Sequence, residues 1–465
     1  MQSITPLSYN DQAGQIFWYV GRLYRGIFAD YVQQVQHFLS HPCYEQLTTQ
    51  QLLVPHLVIS PTDALFEELQ EATQHQFAMF LAPKLLPFIS YPSEWSFGML
   101  KQAALLTLAV QKVALAHGFI LKDAKADNVQ FDNLRPIFID ILSFEVYQTG
   151  TAWQAYRQYC QHFLAPLALM TYSSVELHKL QQLYTDGIPL NLATKFLSWK
   201  DVLFGGIFQH LTLHSWLNNS STEKKIKKAP TIHKNFTIHF IQNLTDSLQN
   251  TVTKLRYATH TNWANYYAQD VTDNYILSKK NIIERLLQTC QAQIVWDLGA
   301  NTGAFSGMAW EQGATVYAFD ADHDCVEQLF LQWQSKNSKG GVGIIDLSNP
   351  TPPRGFALQQ YRSWLDRCPR PDVIFALALL HHLRITYNIP LRQIAHFFAS
   401  LTHFLIIEFV PKNDEKVQIL LQNKVDVYQD YSLENFKNIF ATYFRLVEEV
   451  AVESTERRIF LMQIL

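Results

Sequence analysis

Residues 295–306 read Val295-Trp-Asp-Leu-Gly-Ala-Asn-Thr-Gly-Ala-Phe-Ser306, an apolar run that ends in an acid and passes through two glycines. The run predicts a strand, and the residues after Gly303 predict a helix. Gly299 and Gly303 permit a tight turn and let the backbone approach a ligand closely. The spacing is G-x-N-x-G behind Asp297, not the G-x-G-x-x-G that seats a pyrophosphate. An acid at the strand end repels a diphosphate and suits a ligand that carries an ammonium group. Asn301 stands at the centre of the turn, and asparagine tolerates left-handed backbone.

Outward from this turn, short apolar runs alternate with amphipathic stretches, which predicts a parallel sheet covered by helices. The expected strands are Ile294–Leu298, Thr315–Asp320, Val342–Asp346, Asp372–Leu377 and Phe404–Phe409. Helical patterns fall over Ala304–Glu311, Asp324–Gln334, Leu391–Leu401, Glu415–Asn423 and Leu433–Tyr443. Two further runs, Phe444–Val452 and Arg458–Leu465, flank a short polar connection and read as an antiparallel hairpin. The second strand ends in Asp320, where a carboxylate can accept hydrogen bonds from both ribose hydroxyls. The third ends at Asp346, where a carboxylate can receive an adenine amino group. Three acids at the ends of successive strands converge on one crevice.

These residues resemble the class I S-adenosylmethionine-dependent methyltransferases over roughly residues 255–465. The resemblance implies an α/β fold: a seven-stranded Rossmann-like sheet with an antiparallel last strand. It implies S-adenosylmethionine as cofactor, held by Asp297, Gly299, Asn301, Gly303, Phe305, Asp320, Ala321, Asp346, Leu347 and Ala376. The aromatic segment from Thr261, with Tyr266, Tyr267 and then Tyr275, corresponds to the part that caps the methionine end. The fourth strand runs into Ala378-Leu-Leu-His-His382, where members acting on nucleic-acid bases carry N/D-P-P-Y/F/W. A small-molecule or glycan- or lipid-like acceptor is therefore expected, and no nucleic acid. His381 and His382 are the catalytic candidates, as a base or an orienter of the acceptor. Glu408 and Lys412 are expected at the crevice mouth.

The N-terminal half carries a second pattern, His117-Gly-Phe-Ile-Leu-Lys-Asp-Ala-Lys-Ala-Asp-Asn128, with an acid, Asp140, closing a later apolar run. Asp123, Asn128 and Asp140 have the spacing of a catalytic-loop Asp, a metal-binding Asn and a metal-binding Asp. The stretch resembles aminoglycoside-phosphotransferase-like proteins, which implies an α+β kinase-like domain. Gly98–Ala116 reads as a long helix ahead of it, and Val129–Phe131 with Ile137–Ile141 as short strands. Ile-Leu-Ser follows Asp140 where kinases have Phe-Gly, and residues 1–86 show no Gly-rich loop and no strand lysine paired with a helix glutamate. These departures favour turn-capping roles for Asp123, Asn128 and Asp140 in an α+β domain, or a degenerate domain that binds or positions a partner, over an active phosphotransferase. Taken whole, the chain resembles bacterial nodulation-type methyltransferases.

Composition bounds these readings. The 465 residues include 48% hydrophobic and 17% charged side chains, with 37 Lys plus Arg against 40 Asp plus Glu. Such a balance fits folded domains and excludes a polycation that binds nucleic acid along its whole length. Residues 218–230, NNSSTEKKIKKAP, are polar and Lys-rich, so the expected organisation is 1–217, a linker over 218–235, and 236–465. Five scattered cysteines lack any CxxC pair, and no run of apolar residues reads as a membrane span. A reduced, cytoplasmic protein is the expectation.

Overall fold

In the C-terminal half, apolar runs build one seven-stranded sheet and the amphipathic segments between them form helices. The computed structural model describes residues 4–6, 11–198, 200, 206–212, 237–257, 273–336, 338–422 and 424–465. The chain divides into two compact units, Met1–Ala258 with Pro352–Ser363, and Thr259–Thr351 with Trp364–Leu465.

The second unit contains strands β1 (Ile294–Leu298), β2 (Thr315–Asp320), β3 (Gly340–Ile344), β4 (Val373–Ala376), β5 (Phe404–Phe409), β6 (Phe444–Ala451) and β7 (Arg458–Ile464). Their order is β3-β2-β1-β4-β5-β7-β6, and only β7 runs against its neighbours. Helices Ala304–Glu311 and His323–Ser335 make the crossovers on one side of the order reversal, and Leu391–Leu401 one on the other. Strands covered on both faces are buried almost continuously, as Val316–Phe319 and Leu405–Phe409 are. Ladder pairing of Val316 with Gly340 through Asp320 with Ile344 starts and ends β3 two residues earlier than expected. Asp346 therefore lies in the following loop. β4 stops at Ala376, and Ala378 has φ 51°, which ends the extended run.

The first unit opens with a five-stranded antiparallel sheet, ordered Thr5–Pro6, Gly14–Tyr19, Arg22–Ile27, Met79–Pro83, His56–Val58. Phe17, Tyr24, Leu69, Phe77 and Phe80 form a core beneath it. Next comes the helix Phe97–Ala116, then strand Phe119–Leu121 paired with Phe144–Val146, and a hairpin of Val129–Asp132 with Arg135–Phe138. Asn133 and Leu134, at φ 48° and 66°, make the hairpin turn. The second hairpin strand runs over Arg135–Phe138, earlier than the expected Ile137–Ile141, because Ile141–Ser143 forms a 3-10 turn.

Phe97–Ala116 is long and apolar enough to cross a membrane by length and composition, which the sequence reading had excluded for every segment. Its residues are mostly buried within the unit, including Leu100, Leu108 and Leu115. One boundary also differs. Residues 218–235 lie outside the described residues, but the helix Ile238–Lys254, expected with the C-terminal domain, belongs to the first unit. Its buried Ile241, Leu248 and Val252 pack it against Phe97–Ala116. Lys101 Nζ donates to the carbonyls of Thr253 (3.0 Å) and Leu255 (2.7 Å), a cation at a helix C-terminus.

Candidate functional site

The parallel strands β1, β2 and β3 end on one edge, and backbone bonds join the loops there. Gly299 N and Ala300 N donate to Phe319 O at 2.9 and 3.0 Å, and Ile345 N donates to Asp320 O at 2.9 Å. Gly299, Asn301 and Gly303 all have positive φ (76°, 50° and 81°). A Cβ on Gly303 would stand 2.2 Å from Leu329 Cδ1, and the left-handed φ there strains any residue but glycine.

Asp320, half-buried at the end of β2, organises this turn. Its Oδ2 accepts from Asn301 N at 2.8 Å and its Oδ1 from Asp322 N at 2.9 Å. An ionised carboxylate has about four acceptor positions, so capacity remains for ligand hydroxyls. Burial raises its carboxyl to about 6, against the opposing pull of those N–H groups. Asp297 is buried, accepts from Ser306 Oγ, and is raised to about 7 by burial. Its oxygens bind the first turn of the next helix. Asp346 Oδ1 accepts from Ser348 N at 2.8 Å and Ser348 Oγ at 2.6 Å. Leu347 is half-buried and Ala321 exposed, whereas Phe305 and Ala376 are buried.

Tyr275, Lys279 and Glu408 meet in a second cluster, in the interior. Lys279 Nζ lies 2.6 Å from Glu408 Oε2, Tyr275 Oη donates to Glu408 Oε1 at 3.3 Å, and Arg457 donates to Tyr275 Oη at 2.7 Å. Arg457 also grips Asp414 through two bonds of 2.7 and 2.9 Å. Lys279 Nζ stands 4.8 Å from the centre of the Phe305 ring. Glu408 is fully buried; burial pushes its carboxyl up, but Lys279 and Arg457 win and hold it below the usual range. The expectation of Glu408 at the crevice mouth is corrected accordingly. Lys412 pairs with Asp426 at 2.8 Å near the surface.

His381 and His382 follow β4 in the first turn of a short helical segment, with rings 4.3 Å apart. The strand ends before Leu377, so both histidines lie beyond the extended run. His381 is buried, and its Nδ1 has no partner. Burial, then His382, Arg457 and Lys279, push its imidazole well below the ordinary value. His382 is half-buried and lowered by burial. Tyr266 and Tyr267 lie outside the described residues.

In the first unit, Asp123, Asn128 and Asp140 occupy neighbouring loops. Asn128 Nδ2 donates to Ser143 Oγ at 3.1 Å, and Ser143 Oγ donates in turn to Asp140. Burial raises the Asp123 carboxyl, and Asp140 and Asp11 add to the rise. The sequence reading missed Arg25, whose guanidinium lies 2.8 Å from Asp140 and 3.5 Å from Asp11. The sequence around Arg25 carries no signal of this, because its burial and its pairing come from the fold. Arg457 was missed for a different reason: it sits in a polar hairpin connection that reads as solvated.

No family model matches the chain. It is 29% identical over 459 residues to nodulation protein NoeA of Rhizobium meliloti (strain 1021), covering 97% of this chain and 94% of that protein. The two are relatives over nearly all of their shared length. Among solved structures, it is similar to the bifunctional kinase-methyltransferase WbdD (15% identity, 46% of this chain, TM-score 0.31). The chain spans less than half of WbdD, 45% of its length. It is also similar to the N-methyltransferase NodS of Bradyrhizobium japonicum WM9 in complex with S-adenosyl-L-homocysteine. That match has 12% identity, 44% of this chain, 99% of the other and a TM-score of 0.32.

Proposed function

We propose that the chain is an S-adenosylmethionine-dependent methyltransferase acting on a small-molecule, glycan-like or lipid-like acceptor. The observation that carries this reading is Asp320. It ends β2, ties down the Gly299–Gly303 turn through Asn301 N, and keeps acceptor capacity at the edge where β1, β2 and β3 end. The cofactor supplies an activated methyl on a sulfonium, so the protein's task is largely alignment. Asp320 receives the ribose hydroxyls and Asp346 the adenine amino group. Gly299, Asn301 and Gly303 let the backbone approach the ligand, and Asp297 holds the turn from inside through Ser306. Tyr275 belongs to the methionine end, and His381 orients the acceptor.

Calorimetry of the full chain with S-adenosylmethionine and S-adenosylhomocysteine tests the reading. Absence of binding by either to folded protein overturns it. Release of demethylated cofactor with cell extract separates an enzyme from a non-catalytic binding scaffold.

A second activity is favoured by the chain Asn128–Ser143–Asp140 beside Asp123: a kinase-like site for a magnesium nucleotide in the first unit. Binding of magnesium-ATP that is lost in Asp140→Asn supports it. Equal behaviour of the variant and the parent removes it.

A further inference from the structure

A cavity in the first unit lies between the 3-10 turn Ala126–Asn128, the π-helical turn Cys160–Leu164 and the segment Pro352–Ser363. Three buried polar atoms of its lining residues have no hydrogen-bond partner: Ser93 Oγ, His162 Nε2 and Arg354 Nε. Ser93 and His162 are 8% and 6% exposed. Buried polar groups are almost always satisfied, so three orphans around one space mark a place that takes its partner from outside. The walls are built for that space. Gly187, at φ 88°, passes so close that a Cβ would stand 2.9 Å from His162 Cδ2. Pro352–Ser363 is anchored by Tyr361 Oη donating to Asp127 at 2.8 Å, and by the Arg354 guanidinium 4.9 Å from the Tyr361 ring centre.

The lining chemistry narrows the ligand. Asp127 and Arg354 bring opposite charges to the same cavity, and burial pushes His162 down to about 3, which leaves it neutral. A bare anion or cation would find no uncompensated countercharge. Arg354 Nε only donates, the Asp127 carboxylate only accepts, and Ser93 and His162 can do either. A hydroxyl, which donates once and accepts twice, complements that set. The enclosed part is about the size of one such group. Tyr184 and Tyr361 line the same cavity and offer aromatic surface to the rest of a ligand.

We propose that this cleft binds a neutral polyhydroxylated ligand, a saccharide, with one hydroxyl or hydroxymethyl group seated between Ser93, His162 and Arg354. The proposal is independent of the methyltransferase reading.

Saturation-transfer NMR on the full chain tests it, with D-glucose, D-mannose and N-acetyl-D-glucosamine as probes and sulfate and methylammonium as charged controls. At least one saccharide binds, and Ser93→Ala and His162→Ala each weaken it about 3- to 10-fold, the worth of a lost hydrogen bond. Ser93→Ala keeps the parent melting temperature, because it removes an unsatisfied group. Three outcomes overturn the proposal: no saccharide binding to the parent protein, equal binding by Ser93→Ala, or binding of a charged control alone. In the first of these an ordered water is the cavity's occupant.

Discussion

Lys279 Nζ and Glu408 Oε2 are 2.6 Å apart, with side chains 1% and 0% exposed. An ion pair so fully removed from water is stable only as a pair, because each charge alone would be left desolvated. Lys279→Met should therefore destabilise the second unit by about 3–5 kcal/mol. The double change Lys279→Met with Glu408→Gln should recover much of that loss. Urea unfolding followed by tryptophan fluorescence reads both. A single variant as stable as the parent would contradict the burial of this pair.

Asp320 should carry two separable duties, the turn and the ribose. Asp320→Asn keeps the shape but loses charge and one acceptor, and Asp320→Ala loses both duties. Hydrogen bonds to a charged group contribute about 1.5–3 kcal/mol each. Roughly 100-fold weaker S-adenosylhomocysteine binding is expected for Asp320→Ala, by calorimetry, with Asp320→Asn between it and the parent. Unchanged affinity in both variants would place the ribose elsewhere.

Burial raises the Asp297 and Asp320 carboxyls to about 7 and about 6, above the ~4 of an unfolded chain. Between those values the folded chain holds more protons than the unfolded one. Stability from these groups is therefore full below about pH 4 and falls as pH rises toward 7. Ligand binding runs the other way, since ribose hydroxyls need an ionised Asp320. S-adenosylhomocysteine affinity should rise roughly tenfold from pH 5 to pH 7, with proton release on binding. Calorimetry in buffers of different ionisation enthalpy measures that release. Affinity that falls with pH would reverse the assignment.

His381, buried beside Lys279 and Arg457, should remain neutral across the physiological range. Its Cε1–H resonance should not titrate between pH 5 and 8. His381→Ala is expected to lower turnover more than His382→Ala, by roughly 10- to 100-fold through lost alignment, with cofactor affinity little changed. His381→Asn, which keeps a hydrogen-bonding group, should recover part of the rate. A histidine limb in the pH profile that vanishes in His381→Ala would instead make it a base.

Leu248 is fully buried on the helix Ile238–Lys254, which packs against Phe97–Ala116. Leu248→Ala should destabilise the first unit by about 2–5 kcal/mol. Hydrogen exchange that accelerates in Phe97–Ala116 but not in β1–β5 is the expected signature. The reverse pattern would return this helix to the C-terminal domain.

Sequence alone determined the elements whose causes are local. β1, β2, β5 and the helices Ala304–Glu311 and Leu391–Leu401 coincide with the apolar periods and glycines that predict them, residue for residue. Asn301 in the left-handed turn was legible for the same reason, because the backbone preference belongs to the residue itself. Tertiary structure alone decided where Glu408 and Arg457 find their partners. It also decided that Pro352–Ser363 and Ile238–Lys254 join the first unit, and that Arg25 reaches Asp140. These outcomes depend on contacts between residues far apart in the chain and on the water those contacts exclude. A carboxylate or an imidazole reads the same in any sequence. Whether it is solvated, paired or stripped of its charge is set by the low-dielectric surroundings that only the folded chain creates.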